Sequence, residues 1–151
     1  MQTRALLFLA ATTVVVAGCG NGEPAVPMSQ AATPTTAATA DGATAGRDLS
    51  TEEFDDLTAD DDVTVQARDN SFIKQNIEVK AGTTVTFDNR GRNIHNVIPV
   101  TDGAFAEIAP EDFEPGGSGE VTFTQPGDYA YYCSLHGTTT KGMVGAVRVI
   151  G

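Results

Sequence analysis

The chain has 151 residues and a net charge of −11, with 20 acidic side chains, 9 basic ones, two histidines and two cysteines. This length allows one ordinary domain with appendages, and two histidines limit the chain to a single His-rich metal site. Nucleic acids and anionic lipid surfaces bind clustered Lys and Arg, so the acidity of this chain argues against either as a partner. A basic protein remains compatible as a partner.

The N-terminus has the pattern of a bacterial export signal. Arg4 gives a positive start, and residues 5–18 form an uncharged run that is too short to span a bilayer. The run VAGC at residues 16–19 resembles the lipobox of bacterial lipoproteins, in which the cysteine is lipidated and becomes N-terminal. We therefore expect a lipoprotein signal peptide over residues 1–18 and a lipid anchor on Cys19. The alternative is an ordinary secretory signal peptide cut near Gly20.

Residues 19–62 have the composition of a flexible linker. Ala, Thr, Gly and Pro dominate as far as residue 46, and residues 47–62 carry one basic and eight acidic side chains. As a flexible coil, residues 20–62 extend roughly 35 Å, which is enough to reach a membrane-bound partner. The acidic stretch fits two roles equally, steering a basic partner or keeping the chain soluble.

From residue 63 the sequence changes to short runs of alternating apolar and polar residues, separated by Gly, Asn and Pro. The alternation predicts strands at residues 63–65, 77–79, 85–87, 95–98, 121–123, 129–132 and 144–149. Seven or so closely spaced strands, with no helix-period segment of useful length, indicate an antiparallel-rich β-sandwich over residues 63–151.

Both histidines, one cysteine and one methionine lie in this predicted domain. Cys133 and His136 are three residues apart at a predicted strand end and turn, and His95 is on a neighbouring predicted strand. With the thioether of Met143 they form a set that suits copper, because thiolate and thioether are soft ligands. Zinc bound by the cysteine, both histidines and a water is the alternative, but it leaves the methionine without a role. Metal binding also explains a cysteine left unpaired outside the cytoplasm.

The runs PGDYAYYCSLH at residues 126–136 and GMVG at residues 142–145, with the HNV run at residues 95–97, resemble the small blue copper proteins. These are the cupredoxins of plastocyanin, amicyanin and pseudoazurin type. The resemblance covers residues 63–151 and implies an all-β, Greek-key β-sandwich of about eight strands with one type 1 copper.

The resemblance also implies the role of each site residue. The implied equatorial ligands are His95, Cys133 and His136, with Met143 as the axial ligand. It further implies that Asn96 ties the two ligand-bearing loops together through Ser134. Six residues separate His136 from Met143, a longer spacing than in plastocyanin-like or amicyanin-like proteins. A water or a threonine oxygen from residues 138–140 is therefore the alternative axial ligand.

The function implied is transfer of single electrons between redox partners outside the cytoplasm, by a carrier and not an enzyme. We expect a monomer anchored to the membrane through Cys19, basic or membrane-bound redox partners, and docking through the surface around His136. The competing function is copper binding or delivery without redox shuttling, against which the chain lacks Met-rich or His-rich tracts. A copper enzyme such as a nitrite reductase needs a second His-rich copper site, for which no histidine remains.

Overall fold

The structure is a computed structural model that describes residues 46–151. The predicted signal peptide, Cys19 and the Ala/Thr-rich part of the predicted linker lie outside the described residues. Within residues 46–151, no helix has the length and apolar character needed to cross a membrane.

Nine β-strands and one 3-10 helix, Pro110–Asp112, are found in the described part of the chain. The strands are β1 (Asp55–Asp56), β2 (Val63–Arg68), β3 (Ser71–Ile73), β4 (Asn76–Lys80), β5 (Thr83–Asn89), β6 (Ile98–Pro99), β7 (Ser118–Phe123), β8 (Gly127–Gly137) and β9 (Gly142–Ile150). One sheet has the order β1-β4-β9-β8-β6, and the other has the order β3-β2-β5-β7. The predicted all-β sandwich is confirmed, with nine strands where about eight were expected.

Both sheets contain parallel as well as antiparallel pairs. The parallel pairs β2/β5 and β4/β9 join strands that are distant in sequence, while β5/β7 and β8/β9 are antiparallel. The chain crosses between the sheets several times, because consecutive strands from β3 to β8 alternate between the two sheets. The last strand, β9, lies in the middle of its sheet between β4 and β8.

The core between the sheets is built from alternate residues of the strands, as the sequence pattern predicts. At its centre, the buried ring of Tyr131 meets Phe72 and Phe87 edge to face, with centroids 5.0 and 5.2 Å away. The hydroxyl of Tyr131 donates to the carbonyl of Gln75 at 3.0 Å. Its ring occupies the space where a side chain at residue 145 would stand, which explains the glycine there.

The acidic stretch is part of the folded unit. Leu49 is only 3% exposed and packs on Ala130 and Ala146, on the face of the five-stranded sheet away from the main core. The guanidinium of Arg148 lies 3.9 Å from the ring centroid of Phe54. We call residues 46–62 the N-terminal strap. The sequence placed the boundary of the domain at residue 63, and the structure adds this strap to the fold.

An ion pair and side-chain hydrogen bonds also hold the N-terminal strap in place. Arg47 forms an ion pair with Glu52 at 2.8 Å and donates to the side-chain oxygen of Asn76 at 3.3 Å. The amide of Asn76 in turn donates to Glu52 and to the carbonyl of Glu53. Asn76 is 6% exposed, so these bonds satisfy a buried polar group.

Candidate metal centre

Three of the predicted ligands come from the hairpin of β8 and β9, which contains a large bulge. Tyr132 pairs with Val144, and Gly137 pairs with Gly142. Between these pairs, the four residues 133–136 of β8 lie opposite the single residue Met143 of β9. The bulge brings Cys133 and His136 together, with the sulfur Sγ and the ring nitrogen Nδ1 3.6 Å apart.

The six-residue spacing between His136 and Met143 is taken up by a closed turn. Gly137 and Gly142 are paired, and the amide of Thr138 donates to the carbonyl of Lys141 at 2.8 Å. Residues 138–141 therefore lie beyond the Gly137/Gly142 pair, and Met143 directly follows Gly142 in β9. Its side chain is fully buried in the same core cluster as that of Cys133.

His95 lies in a loop, whereas the sequence predicted a strand over residues 95–98. Strand β6 begins only at Ile98, because the backbone amide of His95 donates to the carbonyl of Phe113 at 3.2 Å, outside either sheet. The imidazole is fully buried, and its Nδ1 lies 3.7 Å from Sγ of Cys133. Its ring centroid is 4.8 Å from that of His136.

The three side chains have the spacing of metal ligands. Ligand atoms of His95, Cys133 and His136 all lie within 4.8 Å of one another, and these residues form the one such His/Cys/Asp/Glu group within residues 46–151. Bonds of about 2.3 Å to sulfur and about 2.0–2.1 Å to nitrogen, at angles between tetrahedral and trigonal, separate sulfur from nitrogen by about 3.6–3.8 Å. The observed separations of 3.7 and 3.6 Å agree with that range.

The protonation state of His95 also suits a ligand. Burial lowers the pKa of His95, and the nearby His136 lowers this pKa further, so the ring stays neutral and keeps a lone pair. Nε2 of His95 is buried with no hydrogen-bond partner among the described residues. An unsatisfied buried group of this kind costs about 1–3 kcal/mol.

Asn96 joins the two loops that carry the ligands, as the family resemblance implied. Its Nδ2 donates to Oγ of Ser134, and its Oδ1 accepts from the amide of Ser134, both at 2.9 Å. Because Ser134 directly follows Cys133 and Asn96 directly follows His95, the paired bonds fix one ligand loop against the other.

Two residues near the site were not given roles by the sequence. Phe113 lies in the 101–117 segment, where no alternation signals structure, yet its carbonyl accepts from His95 and its ring centroid lies 6.3 Å from that of the imidazole. Asn89 was likewise assigned no role at the site, and it is fully buried. The one signal in the sequence was an asparagine two residues after the predicted strand 85–87.

A family model described as copper binding proteins of the plastocyanin/azurin family matches residues 59–150. The chain belongs to the plastocyanin/azurin family. Copper is therefore the cofactor of this domain, and the residues of the site fit one ion. The match covers β2 to β9 and the last four residues of the N-terminal strap.

Plastocyanins and an amicyanin are among the similar proteins. Chloroplastic plastocyanin of Hordeum vulgare is 38% identical over 85 residues, which cover 52% of this chain and 54% of the relative. Plastocyanin of Sambucus nigra is 35% identical over 88 residues, covering 52% of this chain and 87% of the relative. The solved structure of a reduced amicyanin mutant has a TM-score of 0.52 and 29% identity, over 62% of this chain and 87% of amicyanin. The chain thus spans about half the length of the first curated plastocyanins that it matches.

In this plastocyanin/azurin-family domain, we expect Asn96→Ala to lower the free energy of unfolding of the metal-free protein by about 1–3 kcal/mol. The substitution removes two hydrogen bonds and leaves the amide of Ser134 without its acceptor. Urea denaturation measures the effect. Ser134→Ala keeps the bond from the backbone amide and is expected to cost less. Equal losses for the two variants would contradict this account.

Proposed function

We propose that this protein is a type 1 copper electron carrier that moves single electrons between redox proteins outside the cytoplasm. The observation that carries the proposal is the convergence of one cysteine sulfur and two imidazole Nδ1 atoms, which lie 3.6 and 3.7 Å from the sulfur, in a domain of a copper-binding family. We assign His95, Cys133 and His136 as equatorial ligands and Met143 as the axial ligand.

The chain holds these ligands in a rigid and dry environment. His95, Cys133 and Met143 have no exposed surface, and the bulge and the bonds of Asn96 fix their backbones. A bound copper ion supplies a one-electron Cu(I)/Cu(II) couple. Because the protein fixes the ligand positions before the electron moves, little rearrangement is needed between the two oxidation states.

The route for the electron is proposed to pass through His136. This residue is half-buried, in contrast to the fully buried His95. Leu135 is 51% exposed and Ile94 is 44% exposed, and each directly precedes a proposed ligand. Apolar side chains beside a partly exposed ligand offer a docking surface for a redox partner. The net charge of −11 favours a partner with a basic surface, which salt would then release.

We also propose that the protein is a lipoprotein anchored through Cys19, which places it outside the cytoplasm. The support is the VAGC run at residues 16–19 after a short apolar segment. Mass spectrometry of the membrane fraction should find a mature chain that starts at Cys19 and carries acyl groups. Cys19→Ser should release the protein from that fraction, and an unmodified cysteine in the wild-type chain would contradict the proposal.

We expect Met143→Ala to lower the reduction potential by tens of millivolts while the blue colour is kept. Loss of the thioether removes a soft ligand that favours Cu(I), and about 59 mV corresponds to a tenfold change for one electron. Visible spectroscopy with voltammetry on the copper-loaded protein measures both properties.

The control for this experiment is Thr138→Ala. The hydroxyl of Thr138 accepts from the amides of Thr140 and Lys141, so it closes the turn and is not expected to affect the potential. A shift in Thr138→Ala with none in Met143→Ala would contradict axial ligation by the methionine. A colourless, redox-silent wild-type complex, or fast copper exchange with slow electron self-exchange, would contradict the carrier function itself.

A further inference from the structure

Asn89, at the end of β5, has every polar group engaged although the residue is fully buried. Its Nδ2 donates to the carbonyls of Asn93 and Phe113, both at 2.8 Å, and its Oδ1 accepts from the amide of Gly91 at 3.0 Å. Its backbone amide donates to Gly117, and its carbonyl accepts from Gly116, both at 2.9 Å. One residue thus joins two loops.

The same bonds lead directly to His95. The carbonyl of Phe113 accepts from Nδ2 of Asn89 at 2.8 Å and from the backbone amide of His95 at 3.2 Å. The other acceptor, Asn93, is two residues before His95 in the chain. The side-chain amide of Asn89 therefore holds both the backbone that leads into the histidine and the carbonyl to which the histidine is bonded.

We propose that Asn89 is a positioning residue that sets the place and orientation of His95 at the metal site. This inference rests on the proposed function, because it takes His95 to be a copper ligand. Asn89 does not contact the metal and acts through Asn93 and Phe113. Residues that orient ligands in this indirect way typically change metal affinity by about 10-fold to 100-fold when they are mutated.

The chemistry of the site requires an amide and not a carboxylate. Both acceptors of Nδ2 are carbonyl oxygens, and an aspartate would place a carboxylate oxygen against both of them. The bond from Gly91 would survive that substitution, since it needs only an acceptor. Asn89→Asp therefore removes the two bonds toward His95 at almost unchanged volume, whereas Asn89→Ala removes all three side-chain bonds.

Asn76 provides a matched control. It is also a buried asparagine, at 6% exposure, and its side chain holds the N-terminal strap instead of the metal loops. Asn76→Ala is expected to destabilise the fold and leave the copper site unchanged. The two asparagines therefore separate a loss of stability from a loss of ligand positioning.

The experiment compares the wild-type chain, Asn89→Ala, Asn89→Asp and Asn76→Ala after loading with Cu(II). We expect both Asn89 variants to bind copper about 10-fold to 100-fold more weakly and to show altered visible and EPR spectra and reduction potentials. Asn76→Ala is expected to match the wild type in all of these copper properties. The proposal would be overturned if folded Asn89 variants kept wild-type copper properties. It would also be overturned if Asn76→Ala altered these properties as the Asn89 variants do.

A measurement on the metal-free wild-type chain covers the case in which the Asn89 variants do not fold. NMR hydrogen exchange should show strong protection of the Asn89 side-chain amide and of the backbone amide of His95, because both donate to Phe113. Rapid exchange at either group would overturn the proposal. If instead no wild-type complex has the blue copper spectrum, the proposed function fails, independently of Asn89.

Discussion

Cys133→Ala abolishes the intense visible absorption that we expect from the wild-type protein loaded with Cu(II). The substitution removes the thiolate and leaves the two imidazoles and the thioether, which no longer form the set that defines a blue copper site. The side chain is fully buried and small, so the change should cost only about 1 kcal/mol of stability. Titration with Cu(II), followed by visible and EPR spectroscopy, measures the loss.

The matched control is Cys19→Ala, which changes the chain's other cysteine. Residue 19 precedes the residues 59–150 that the family model matches, so the purified variant should remain blue at wild-type intensity. A blue Cys133→Ala protein, or a colourless Cys19→Ala protein, would contradict the assignment of the thiolate ligand.

A chain that begins at residue 63 should lose at least about 3 kcal/mol of unfolding free energy relative to one that begins at residue 46. The shorter chain lacks Leu49, and loss of a buried leucine side chain costs about 2–5 kcal/mol. It also loses the contact between Phe54 and Arg148, worth about 0.5–2 kcal/mol. Urea denaturation of the metal-free proteins gives the difference.

The single substitution Leu49→Ala serves as a check in the full-length chain, and we expect it to account for about 2–3 kcal/mol of the loss. The reference for the truncation is the chain that begins at residue 46. If the chain that begins at residue 63 is equally stable, the N-terminal strap contributes nothing to the fold.

Most strands, though not β1 and β3, and the cluster of His95, Cys133 and His136 could be predicted from local sequence. Alternation marks the buried residues of a strand such as β2, and the chain has so few His, Cys and Met residues that their order around a sandwich defines a metal site. The loop position of His95 could not be read in this way. It depends on a hydrogen bond to Phe113, which is distant in sequence.

The N-terminal strap was unpredictable for a similar reason. Leu49 and Phe54 are among the few apolar residues in a stretch with eight acidic side chains, and such a composition indicates a solvated segment. Their burial depends on Ala130 and Ala146, two small residues about eighty or more positions away that leave a shallow surface on the sheet. Only the assembled sheet reveals this apolar contact.

The central place of β9 has a consequence for how the protein is made. Its five-stranded sheet is ordered β1-β4-β9-β8-β6, so β9 must insert between β4 and β8, which both precede it in the chain. Until residues 142–150 have left the ribosome, β4 and β8 have no common neighbour and Met143 is absent from the site. Pairing over such sequence distances is slow. A nascent chain therefore cannot complete this sheet, or bury Met143 in the core cluster that contains Cys133, before residues 142–150 have been synthesised.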